Sequence, residues 1–387
     1  MTLNKLLKDY SFPQEYTIND WNDLTYKEFG RFISNREVID KYLPLLRTEL
    51  VNLAQCEATT KGKQLLENIF NMLVSIIEKH FDSIIPNIKK SIIVLGETDK
   101  SWMTLSMIQP DLSDLNKQDK LIAKMNIYES MIETCYKYRL AFIFSVLKYD
   151  DDCIWDNIDN VDYKALMPKI AKYYTRSIIS GISKYSSKEI PINQIRNIIA
   201  HKSYKIVKEE IEVTYGTSTK KTCNFSLEEF DAILTTINMN YKCMRLAEEL
   251  IGFRYSKNLF NVTIDPSSIR FESKIVHTIH NLAIKGFKFD QYKSEGSVFI
   301  LKLKKDSAKE QLLADTIHSS EQLLNIAVNI YEDEQMKDIN KIVIEIYNLN
   351  GTYMASSSVD LSDAMKFAKA NCSLDDYIEK IQFDLPK

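Results

Sequence analysis

The sequence predicts a mainly α-helical protein, an N-terminal helical bundle with an inserted β-hairpin, followed by a small α+β domain of hairpin-helix-hairpin-helix order. Three observations predict it. Between positions 25 and 255 apolar residues recur mostly at helical spacing. Only nine Gly and eight Pro punctuate 387 residues, so few elaborate loops are on offer. Beyond position 256 the pattern changes to extended runs separated by turn residues.

The expected organisation is an irregular arm over residues 1–25, a helical domain over 26–255 and the α+β domain over 256–387. The arm carries Pro13 and the pair Asn19-Asp20, with Tyr10, Phe12, Tyr16 and Trp21 available to dock. A first helix is expected from Thr25 past Pro44 to about Ala54. A second, near 61–83, puts Leu65, Leu66, Ile69, Phe70, Leu73, Ile76 and Ile77 on one face, with His80 as a terminal cap. Pro86 is expected to interrupt the pattern. Residues 87–95 then read as helix or as a short extended piece, and 96–116 as a linker.

A long helix is expected over 117–148. On it Glu129 and Glu133 lie one turn apart, and Glu133 precedes Lys137 by four. The favoured reading is an exposed face relieved by a Glu-to-Lys pair, weighed against an acid that orients His201 or holds a cation. Tyr149-Asp150-Asp151-Asp152 closes this helix as an acidic loop. Residues 163–185 resume a Tyr-rich helix, and Pro191 opens the next one as a first-turn residue. Residues 205–215 read as one strand, Gly216 as a turn and 219–225 as the returning strand. Ser226-Leu227-Glu228-Glu229 is a capping box for a helix to about Leu250.

The α+β domain begins at a break around Asn261, Asp265 and Pro266. After a helix near 268–284, residues 287–292 and 297–303 form a hairpin. A helix over 307–331 leads to a second hairpin, 342–347 with 353–359, joined across Asn350-Gly351. Hairpins alternating with helices suggest a small antiparallel sheet covered on one face. His277 and His280 stand three apart but lack a third ligand, so no metal site is expected.

The stretch most informative for function is Gln194-Ile195-Arg196-Asn197-Ile198-Ile199-Ala200-His201. On a helical wheel Ile192, Ile195, Ile198 and Ile199 share one arc, while Arg196, Asn197, Ala200 and His201 share the other. A cation, an amide and an imidazole thus flank a small methyl, an arrangement suited to close approach of an anion. Imidazole is an acid–base group near neutral pH, and guanidinium offers a fixed fork of donors to phosphate. Together they suit phosphodiester cleavage in RNA, where the ribose supplies its own nucleophile. Asn197 is expected to orient the imidazole or to bind substrate.

Arg196-x4-His201, with Asn197 directly after the Arg and Ala200 directly before the His, resembles the Arg-x4–6-His signature of HEPN (higher eukaryotes and prokaryotes nucleotide-binding) ribonucleases. The resemblance implies a helical bundle that dimerises through the motif helix. It also implies a composite site and metal-independent endoribonuclease activity without a cofactor, in toxin–antitoxin, CRISPR-linked or abortive-infection defence. By position Arg196 and His201 match the catalytic pair and Asn197 its polar neighbour. Lys202, Tyr204 and Lys205 are the expected substrate-binding residues. The family's His-x-Tyr variant is here His201-Lys202-Ser203-Tyr204, one residue longer, which weakens the case for modification of Tyr204 by a partner enzyme. The α+β domain is then expected to sense a phage trigger, bind RNA or receive a regulator. A non-catalytic HEPN-like RNA- or protein-binding module is the alternative.

Composition bounds these readings. A formal net charge of −3 supplies no global field for nucleic acid, so attraction must come from local cations. Arg196, Lys202, Lys205, Lys208, Lys220 and Lys221 cluster around the motif, beside Glu209, Glu210 and Glu212. Six scattered cysteines without a Cys-x2-Cys pair argue against a zinc ribbon and fit a reducing cytosol. No secretory leader, membrane-length apolar run, Gly-rich phosphate loop or nucleophile elbow is read. A cytoplasmic protein is expected.

Overall fold

The structure is a computed structural model. It describes residues 18–107, 115–151, 161–216, 219–259, 275, 278–279, 282, 285–305, 309–333 and 336–385. The docking residues Tyr10, Phe12 and Tyr16, the break at 261–266 and the pair His277/His280 lie outside these. The chain packs as two compact units: residues 56–261, and a discontinuous unit of 1–55 with 262–387. The sequence instead placed 26–55 with the bundle and its boundary at 255/256.

Three helices replace the single one expected near the N-terminus: α1 (Ile18–Phe29), α2 (Arg36–Lys41) and α3 (Leu43–Cys56). Residues 18–25 are therefore helix rather than irregular arm, and Trp21 is buried. The break after Phe29 has local causes. A Cβ at Gly30 would sit 2.6 Å from the Tyr26 carbonyl oxygen, and the Asn35 side chain accepts from the Glu37 N–H to start a new helix.

In the helical unit, α4 (Thr60–Lys79) buries Leu66, Ile69, Phe70, Leu73, Ile76 and Ile77, with His80 at its C-cap. Pro86 does not interrupt the next helix: α5 runs from Phe81 to Met107 and includes part of the expected linker. As the sixth residue of this helix Pro86 forfeits one i→i−4 hydrogen bond, to the Asp82 carbonyl, and the burial of Ile84, Ile85 and Ile88 offsets it. The expected 117–148 helix is α6 (Lys117–Met131), a π turn (Ile132–Tyr136) and α7 (Lys137–Leu147). α7 is buried almost all round, as a central helix should be. The expected helix over 163–185 divides into α8 (Tyr163–Ala171) and α9 (Ser177–Ser183). The Tyr173 and Tyr174 N–H groups bond three residues back, to Ile170 and Ala171, and this tightening ends the helix.

A minimal hairpin, β1 (Lys184–Tyr185) with β2 (Ile190–Pro191), turns the chain into α10 (Ile192–Ala200). The inserted hairpin proves to be a three-stranded meander of β3 (Tyr204–Val207), β4 (Glu210–Tyr215) and β5 (Lys221–Ser226). The run read as one strand folds at Lys208, which adopts φ 58°, so that Val207 pairs with Glu210. The Ser226/Glu229 capping box opens α11 (Leu227–Arg254), which packs on α4, α6 and α7. A short α12 (Ser256–Leu259) follows. Beneath the bundle surface, Arg139 of α7 pairs with Glu248 of α11 at 2.6 Å and with Asp99 of α5. Arg245 meets the same Asp99 at 3.0 Å.

In the discontinuous unit, β6 (Lys288–Glu295), β7 (Val298–Lys304), β8 (Lys341–Tyr347), β9 (Tyr353–Asp360) and β10 (Gln382–Asp384) form one sheet in the order β10-β9-β8-β7-β6. Both expected hairpins are present. The sheet is mixed, however, because β7 and β8 run parallel. Parallel neighbours need a crossover connection, and α13 (Leu312–Ser320) with α14 (Leu323–Tyr331) supplies it as two helices where one was expected. α15 (Leu361–Ala368) and α16 (Leu374–Ile378) lead to β10, an edge strand the sequence reading missed. Phe299, Leu301, Leu303, Ile342, Ile344 and Ile346 make the buried face. Arg47 of α3 pairs with Glu332 just after α14, one tie between the two sequence-distant parts.

Arg139→Met strips Glu248 of its buried partner. It should lower unfolding stability by roughly 3–5 kcal/mol, read from urea denaturation at neutral pH.

Candidate functional site: the polar edge of the motif helix

Ile192, Ile195, Ile198 and Ile199 are each at most 1 % exposed, so α10 buries the stripe expected of it. Its orientation is fixed further along its length. Gln194 Oε1 accepts the Gly216 N–H at 3.0 Å, and the Ser203 carbonyl accepts from Thr214 N–H at 2.9 Å. Both tie α10 to the meander.

The helix ends in a Schellman arrangement. Ser203 N–H donates to the Ile198 carbonyl at 2.9 Å and Lys202 N–H to the Ile199 carbonyl at 3.2 Å. Lys202 takes the left-handed position, φ 51°, where glycine is usual. His201 is the C-cap residue and is exposed. With the stripe inward, the imidazole is delivered to solvent at the end of the helix.

Arg196 is half-buried, its side chain 30 % exposed. Its Nη1 donates to Asn197 Oδ1 at 3.0 Å, so Asn197 orients the guanidinium, a contact outside the two roles expected of it, orienting the imidazole or binding substrate. Its Nε lies 3.0 Å from Glu133 Oε2, without the alignment of a hydrogen bond. The contact is a charge pair. The other oxygen of Glu133 accepts from Lys137 Nζ at 2.9 Å. The Glu-to-Lys pair read from the sequence is therefore present, and the same carboxylate also reaches the motif. Neither it nor any other acid among the described residues is seen holding His201.

Lys202 lies near this edge, its Nζ 3.1 Å from Asn126 Oδ1 on α6. Tyr204 and Lys205, both expected to bind substrate, lie on the strand that follows the motif helix. They are consecutive on β3 and point to opposite faces. Tyr204 pairs with Val213 on the buried side of the meander, whereas Lys205 is exposed opposite Glu212. Glu133, Lys137 and Asn126 are thus additions to the expected set. The four-residue Glu133-Lys137 spacing hinted at the first two; nothing in the sequence hinted at Asn126.

Chemically, the edge offers an exposed acid–base group, a guanidinium held by an amide and a carboxylate, and the exposed ammonium of Lys202, with the buried Lys137 holding the carboxylate from behind. A cavity of about 370 Å³ elsewhere in the unit is lined by Tyr185, Lys188, Asn224, Phe225 and Glu229 among others, and includes no motif residue. There Lys188 donates to the Asn224 carbonyl at 2.7 Å and lies over the Phe225 ring.

Lys202→Gly relieves the left-handed conformation, which costs an L-residue about 1 kcal/mol. The melting temperature should rise; a fall would contradict the strain assigned to this position.

No helix among the described residues is long and apolar enough to cross a membrane. Compared with protein-family models, curated proteins and solved structures, the chain matches none.

Proposed function

We propose that the protein is a metal-independent endoribonuclease of HEPN type, acting in the cytoplasm as a toxin or abortive-infection effector against phage, with its discontinuous unit sensing or regulating. The observation that carries the reading is that Arg196 and His201 share one solvent-facing edge, with the guanidinium already oriented by Asn197 and Glu133. In this reading His201 takes the proton of a ribose 2′-hydroxyl as that oxygen attacks the adjacent phosphorus. The bond from phosphorus to the 5′-oxygen breaks, and the leaving oxygen takes up a proton. The products are a 2′,3′-cyclic phosphate and a 5′-hydroxyl. Arg196 meets the negative charge that builds on the non-bridging oxygens, with the exposed Lys202 steering the strand. Donating and accepting a proton at once calls for two groups, and a second copy of the chain would bring a second imidazole.

One observation favours the other reading, a non-catalytic RNA- or protein-binding module. His201 at a helix C-cap and Arg196 charge-paired with an acid are also what a purely structural helix end presents.

Expression of wild type beside Arg196→Ala and His201→Ala separates the two. The enzyme predicts growth arrest and RNA fragments with 2′,3′-cyclic ends from wild type. It also predicts a loss of cleavage of at least about 10²-fold in each folded variant. A His201→Ala protein that keeps the phenotype establishes the binding module instead.

A further inference from the structure

The passage from α6 to α7 holds one residue more than a regular helix needs. Over Ile132–Tyr136 the turn widens, and the Lys137 N–H reaches back five residues to the Ile132 carbonyl. Turns of this kind are rare and concentrate at functional sites. This one falls on Glu133, the acid beside Arg196. Without the extra residue the helix on one side of the turn would rotate by about 100° relative to the other.

Two buried phenols hold the widened turn. Tyr163, the first residue of α8 and 5 % exposed, donates to the Ile132 carbonyl at 3.0 Å. That oxygen therefore accepts twice, once from the backbone and once from Tyr163. At the far end Tyr136 donates to the Ile182 carbonyl at 2.6 Å and meets the Tyr185 hydroxyl, linking the turn to the elements that lead into α10. The Asp162 side chain accepts from Lys164 N–H at 3.1 Å and caps α8, which fixes where the Tyr163 ring begins. Burial, aided by the nearby Glu133 charge and opposed by Arg196, raises the Tyr163 pKa well above the usual phenol range. The hydroxyl keeps its proton and stays a donor.

We propose that Tyr163 is a positioning residue of the site: its hydroxyl, clamped on the Ile132 carbonyl, holds the widened turn in the register that sets Glu133 against Arg196. The kinetic consequence rests on the ribonuclease reading; the structural one does not.

Tyr163→Phe keeps the ring and removes only the hydroxyl, and Ile132 retains its backbone donor, so the variant folds. On RNA, kcat should fall about tenfold, the worth of one well-placed hydrogen bond, with KM within about twofold. The same substitution added to Glu133→Gln should cost nothing further. Independently of activity, the Arg196 Nε–H resonance should move in Tyr163→Phe, because the carboxylate beside it shifts. An unmoved resonance overturns the proposal whatever the kinetics. A moved resonance with kcat unchanged, or with the same loss in both backgrounds, also overturns it. If wild type leaves RNA uncut while the resonance moves, the positioning role stands and the ribonuclease reading falls.

Discussion

A nine-residue helix has room to bury one stripe, and in α10 that stripe is four isoleucines. Burying each such side chain contributes about 1.5–3 kcal/mol, so rotating the helix to hide its polar edge would forfeit most of that. The remaining positions of the helix therefore lie half-buried beside the stripe, Arg196 and Asn197 among them, and His201 is exposed at its end. The left-handed turn at Lys202 then ends the helix abruptly, leaving the imidazole at the rim rather than inside another turn.

An outward guanidinium on a flexible stem would still be poorly placed, and here the surrounding helices matter. Glu133 lies against it from the widened turn, whose two ends are tied by Tyr163 and Tyr136 to neighbouring elements. The contact between Arg196 and Glu133 is close yet poorly aligned. A phosphate oxygen arriving with better geometry could take over the guanidinium while Lys137 retains the carboxylate. Further in, the ion cluster of Asp99, Arg139, Arg245 and Glu248 fixes the packing of α5, α7 and α11.

Features set by local spacing were legible in the sequence: the isoleucine stripe, the α4 face, the Ser226/Glu229 capping box and both hairpins of the second unit. Others required knowledge of what lies across space. Pro86 looked like a stop because its cost is local, whereas the burial that carries α5 past it is not. The β7–β8 pair is parallel, with the helices between supplying the crossover it needs, and hairpin signals alone do not state how two hairpins join. Residues 18–55 group with a sheet that starts more than 200 positions later, and no periodicity announces such a partner. At the site, Arg196 and His201 were visible as a motif. The placement of Glu133 was not, since a π turn has no residue signature, and neither was the bond from Arg196 to Asn197, because helix spacing does not state which side chain an amide will meet. The opposite faces of Tyr204 and Lys205 follow from the strand register, which the sequence did not state.

The account stands on the claim that this edge makes the ribose cut its own phosphodiester. A single RNA substrate with one 2′-deoxy sugar at the scissile step tests that most directly, in cleavage and binding assays run with purified protein and a metal chelator present. The account predicts that the modified strand binds about as tightly as the all-ribose strand and is not cut at that step, while the all-ribose strand is. Cleavage of both strands at the same step would contradict it.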